Sequence, residues 1–145
     1  MDSAKILSNV MNNSIESLVE SKNKTDVIGQ LTSYSIIFYA HLGKLVFANR
    51  NALSGSWLTS IYAPADNIKK LKNDNPSSYK SFDLNFDILH DKIIKIIKDD
   101  GNDVSKFDMQ YIYNEFPTLD SILDRHKLNE FISTYIYGTN LTLQW

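Results

Sequence analysis

Apolar residues recur at helical spacing along most of this chain, and only one stretch also reads as strand. Residues 3–22 follow Ser3, a candidate N-cap, and place Leu7, Met11, Leu18 and the stem of Lys22 on one stripe with Ile15 beside it. In residues 81–100, Phe82, Phe86, Leu89, Ile93, Ile96 and Ile97 fall within about a third of the circumference at 100° per residue, and Gly101 stands at the C′ position. Residues 105–116 form a further segment, opening at Ser105 with Asp108 three on and closed by Pro117; Thr118 then caps a helix running toward Gly138. A shorter helix is predicted over 65–73 after Pro64, followed by a loop from Asn73 to Lys80.

Residues 25–62 admit two readings. As strands they give Ser33–His41, a turn at Leu42-Gly43, Lys44–Asn49 and Ser56–Tyr62, an antiparallel meander over 33–62 packed on helices, within an α+β fold. As a helix they give Val27, Leu31, Tyr34, Phe38, His41/Leu42, Leu45, Ala48 and Ala52, a stripe at alternating spacings of four and three between Thr25 as cap and Gly55 as stop. A long stripe arises by chance less easily than a short alternation, so length favours the helix over 25–54. Ile36, Ile37, Tyr39 and Phe47 lie off that stripe, which makes such a helix apolar nearly all round and central to a bundle. Gly43 inside it costs about 1 kcal/mol relative to Ala. The expectation is an all-α, single-domain bundle of five or six helices. In the C-terminal helix, Leu119, Ile122, Leu123 and His126 share one face while Leu128, Phe131, Ile132 and Tyr135 share nearly the opposite one, which predicts a break near Lys127 or two halves with different neighbours.

Charge is divided unevenly. Residues 1–82 carry nine Lys/Arg against six Asp/Glu, residues 83–130 carry eleven acids against six bases, and residues 131–145 have no ionisable side chain. A charge split bears on partner choice and association rate rather than on fold. The formal net charge of −2 weighs against direct nucleic-acid binding. The N-terminal residues lack the apolar core of a secretory signal, and no 18-residue uncharged apolar run exists, so a soluble cytoplasmic protein with no membrane partner is expected. Without cysteine, thiol chemistry is absent.

Catalytic patterns are absent as well: there is no G-x-S-x-G, and Ser54-Gly55-Ser56 lacks the glycines and Lys-Ser/Thr of a phosphate loop. Lys69, Lys70 and Lys72 read as a solvated helix end, and Trp57 and Trp145 as packing anchors. Asp87/His90 and His126/Glu130 could converge on a metal only if their helices packed side by side, and a lone histidine after an apolar helix is a weak haem signal. No metal and no cofactor is expected.

What remains is a row of acids. Asp83, Asp87 and Asp91, spaced i, i+4, i+8, would stand beside the core stripe of an 81–100 helix, with Leu84 and Ile88 projecting away from the core. Acids flanked by exposed aliphatics have the anatomy of an interface. The sequence therefore points to a non-enzymatic partner-binding protein, most concretely an immunity or antitoxin protein that neutralises a basic toxin domain such as a nuclease. Asp83, Asp87, Asp91, Asp99, Asp100 and Asp103 would supply the charge contacts, with Leu84 and Ile88 as apolar contacts. A phage or mobile-element inhibitor or structural subunit, and a small metal- or haem-binding helical protein, are the alternatives.

Overall fold

The computed structural model describes the backbone of residues 3–48 and 55–137 and the side chains of 24–48 and 58–136. Seven α-helices and no strand occur among them: α1 (Ser3–Phe47), α2 (Gly55–Asp74), α3 (Pro76–Ser81), α4 (Phe86–Asp99), α5 (Met109–Glu115), α6 (Leu119–Leu123) and α7 (Arg125–Tyr137). A single 3-10 turn, Val104–Lys106, lies between α4 and α5. The fold is all-α, and the meander over 33–62 is not formed.

The central helix is longer than its stripe suggests. Residues 3–22 and 25–47 are one continuous α1, which ends at Phe47 rather than at 54, and Gly55 opens α2 instead of stopping α1. Val27, Leu31, Phe38, Leu42 and Leu45 are buried as the stripe requires, and so are Ile36, Tyr39 and Ala40 off it. Buried on more than one side between Ser35 and Leu45, α1 packs against α2, α3, α4, α5 and α7. Two of its hydroxyls are satisfied within the helix: those of Thr32 and Ser35 donate to the Ile28 and Leu31 carbonyls at 2.8 and 2.7 Å. Gly43 is there for space, because a Cβ at this position would lie 2.6 Å from Met109 Sδ on α5.

The predicted helix over 65–73 begins ten residues earlier, with Pro64 inside it. Proline removes one backbone donor there, but Pro64, Ile61, Ala65 and Ile68 are buried together, and packing outweighs that loss. The expected loop at Asn73–Lys80 is mostly helical, since Pro76 occupies the first position of α3, where a missing N–H costs nothing.

The helix expected at 81–100 starts only at Phe86. Asn85 caps it, its side chain accepting from Asp87 N at 3.0 Å, and Phe82 is already extended. Its end is as expected: Gly101 has φ 89°, and Asn102 N–H reaches the Ile97 carbonyl at 3.3 Å. Residues 105–116 likewise divide into the 3-10 turn and α5. Thr118 does cap α6, in a reciprocal box with Ser121, and the phase break falls at Asp124 between α6 and α7, three residues before Lys127. The core joins α1 to Ile93 and Ile97 of α4, Ile112 of α5, Ile122 of α6 and Leu128 and Ile132 of α7. Trp57 and Trp145 lie outside the described side chains.

Candidate functional site at the start of α4

Because α4 starts at Phe86, the acid row is not one helical stripe. Asp83 is exposed on the extended segment before the helix, while Asp87 and Asp91 are exposed on its first two turns. Leu84 is half-buried and packed against the core rather than projecting freely. Ile88 stands out at 64% exposure, the one large apolar side chain so exposed among the described residues. At 100° per residue it lies about 60° around the helix from Asp91, on the same outward half.

The other three predicted contacts have work within the chain. Asp99 pairs with Lys95 at 2.9 Å, which raises the Lys95 pKa. Asp100 pairs with Lys44, a lysine of α1 that is only 5% exposed. Asp103 accepts from Ser105 N at 3.1 Å and from its hydroxyl at 2.7 Å, bonds that lower the Asp103 pKa and hold the 3-10 turn. Asp83, Asp87 and Asp91 form no ion pair among the described residues.

Two concavities flank the start of α4. Asp83 and Leu84 line one of about 620 Å³ with Lys72, Tyr79, Pro117 and Asp120. Part of its polar wall is already paired: Tyr79 donates to Asp120 at 2.5 Å, which lowers the Asp120 pKa, and Lys72 lies 3.4 Å from the same carboxylate. The other, of about 450 Å³, lies between α4 and α5. Asp87, His90 and Asp91 line it from α4, and Phe107, Asp108, Gln110 and Tyr113 from the other side. Phe86 stacks on Tyr113 with centroids 4.3 Å apart, and the Tyr113 hydroxyl, its pKa raised by burial, meets His90 Nδ1 at 2.7 Å.

This second cleft combines carboxylates with aromatic walls, a setting that favours a cation. It includes Asp108, which the spacing from Ser105 assigns to a capping box. Asp108 is in fact the N-cap of α5, and its side chain makes no cap bond. The sequence carries a signal for this in Phe107-Asp108, a turn residue between apolar ones, but only the fold brings it opposite Asp87 and Asp91.

The metal set does not assemble. His90 bonds Tyr113, whereas His126 is an exposed partner of Glu130 at 3.1 Å, and no group of three His, Asp or Glu side chains is placed for a metal among the described residues. Lys69 and Lys70 are exposed on α2, and no described helix is long and apolar enough to cross a membrane. Comparison with protein-family models, curated proteins and solved structures finds no match to the chain.

Proposed function

We propose that this protein works by binding a basic protein partner at the start of α4, and that its role is to neutralise that partner as an immunity or antitoxin protein does. The observation that carries this reading is the convergence of Asp87, Asp91 and Asp108 on one aromatic-walled cleft, with no cation of the described chain paired to them. Asp87 in the first turn of α4 and Asp108 at the N-cap of α5 are cheap to keep unpaired there because a helix N-terminus is positive. They attract a basic surface over a range set by ionic strength, and a protein that must reach a toxic enzyme quickly gains from such steering. Toxic nucleases are basic where they hold phosphate. Ile88, beside the acids, supplies the apolar contact that a charged rim alone lacks.

The test is capture of partners from the native host by wild type and by Asp87→Asn/Asp91→Asn/Asp108→Asn, followed by stopped-flow association with the isolated partner. These residues are exposed, so folding should be retained. Association is expected to slow about tenfold or more, with a flatter salt dependence, because exposed charges act mainly on the on-rate. A partner whose association is indifferent to all three substitutions would remove this cleft from recognition.

A further inference from the structure

We infer that the outward face of α4 is self-complementary and pairs two copies of this chain antiparallel across it. The inference does not rest on the partner reading above; it follows from how charge and apolar surface are ordered along one helix. The first half of the exposed face carries Asp87, Ile88 and Asp91, and the second half carries Lys92, Lys95 and Lys98, with Asp99 at its end. Acid therefore precedes base along the helix, and reversing the direction of a second copy sets each acidic half against a basic half. About a midpoint between Asp91 and Lys92, antiparallel pairing places Asp91 opposite Lys92, Ile88 opposite Lys95, and Asp87 within reach of both Lys95 and Lys98.

The apolar surface has the same polarity. Ile88, 64% exposed, is a knob on the first half. Beside the second half lies a groove of about 370 Å³ between α1 and α4, floored by Ile36, Ile37 and Ile96 and edged by Lys92 and Lys95. In the antiparallel arrangement Ile88 of each copy meets the aliphatic stems of Lys92 and Lys95 at the mouth of the other's groove. A two-fold arrangement uses every such contact twice. Lys92 has no carboxylate partner among the described residues, and Lys95 gives up only an exposed i, i+4 pair with Asp99.

One helix face on each side buries less than a standard interface of about 1,200–2,000 Å². The dimer is therefore weak and depends on concentration and salt. Sedimentation equilibrium of the wild type should show average mass rising toward dimer between about 20 µM and 1 mM, and roughly tenfold weaker association at high ionic strength.

The deciding experiment mixes two variants. Asp87→Lys/Asp91→Lys makes the face basic save for Asp99 at its end, and Lys92→Glu/Lys95→Glu makes it acidic save for Lys98. Each alone should stay monomeric to 1 mM, whereas an equimolar mixture should form a heterodimer at least as tight as the wild-type dimer. Circular dichroism establishes that each variant keeps its helix content. Ile88→Asn, at an exposed position, gives a second route to the monomer that changes no charge. A wild type monomeric throughout, variants that self-associate as the wild type does, or a mixture that stays monomeric would each overturn the pairing.

Discussion

Two glycines of α1 sit in the same helix and are expected to respond oppositely to alanine. At Gly29 nothing lies within 4 Å of the point an added methyl would occupy, so Gly29→Ala should raise stability by about 0.8–1 kcal/mol, the propensity difference between the two residues. Gly43→Ala receives the same propensity gain, but its methyl would lie 2.6 Å from Met109 Sδ and 3.0 Å from its Cε. Met109 is 2% exposed and Phe107 stands 3.6 Å from the same point, so the methyl enters a packed site and the thioether must shift to admit it. Overpacking of this kind costs about 1–3 kcal/mol. Set against the gain, Gly43→Ala should be destabilising by about 0–2 kcal/mol, and the two glycine variants should differ by about 1–3 kcal/mol. The clash can be isolated in a cycle. Met109→Ala alone should cost about 2–5 kcal/mol, and Gly43→Ala/Met109→Ala should cost less than the sum by about 1–3 kcal/mol, because the new methyl then enters vacated space. Urea unfolding with an unchanged slope gives all four values. A Gly43→Ala as stabilising as Gly29→Ala, or an additive cycle, would refute the account of Gly43 as a contact glycine.

Two further outcomes follow from the buried polar groups. Tyr39 is fully buried and its hydroxyl donates to the carbonyl of Phe116 at the end of α5, 2.5 Å away, so Tyr39→Phe should lower stability in urea by about 1–3 kcal/mol by leaving that carbonyl unpaired; no change would mean that the carbonyl finds another donor. His41, half-buried on α1, has its pKa lowered, first by desolvation, and Nδ1 meets the Ile37 carbonyl at 2.9 Å. The unfolded chain then binds more protons than the folded one below the ordinary histidine pKa of about 6.5, so stability should fall as pH drops through and below that value. His41→Gln should flatten the melting temperature between pH 7 and 5, and an unchanged slope would exclude His41 as its source.

The central helix is legible in the sequence because burial on several sides leaves apolar residues both on and off one stripe, and Val27, Leu31, Phe38, Tyr39 and Leu45 show both. Its continuity through Lys22–Thr25 is not, since a cap residue such as Thr25 also sits comfortably within a helix. The periodicity places the start of α4 too early because Phe82 continues the stripe of Phe86 and Leu89, yet Asn85 offers a cap that competes with the next turn back. That five-residue shift decides the fate of the acid row, for a pattern at i, i+4, i+8 has meaning only where all its members are helical. Asp100 and Asp103 cannot be sorted from Asp87 and Asp91 by sequence, because their partners Lys44 and Ser105 are assigned by tertiary packing and local turn geometry, and Lys95 stands four residues from both Asp91 and Asp99, so spacing alone does not say that it pairs with Asp99. Asp108 is visible in the sequence only as a cap, and its place opposite α4 depends on the path of the turn at 104–106.

The position of α1 in the chain has a consequence in time. Its second half, from Val27 to Leu45, is built into the core, yet it is synthesised before every element that encloses it. Its last core residue, Leu45, precedes Ile97, Ile112 and Ile136, which belong to the core it joins. At ribosomal rates of about 5–20 residues per second, the roughly 90 residues from Phe47 to Ile136 take about 5–18 s to appear. Through that interval α2 is the first helix available to cover α1. The nascent chain is thus expected to be most vulnerable to aggregation before α4 emerges, and a slowed ribosome would prolong that exposure while the finished protein would show no trace of it.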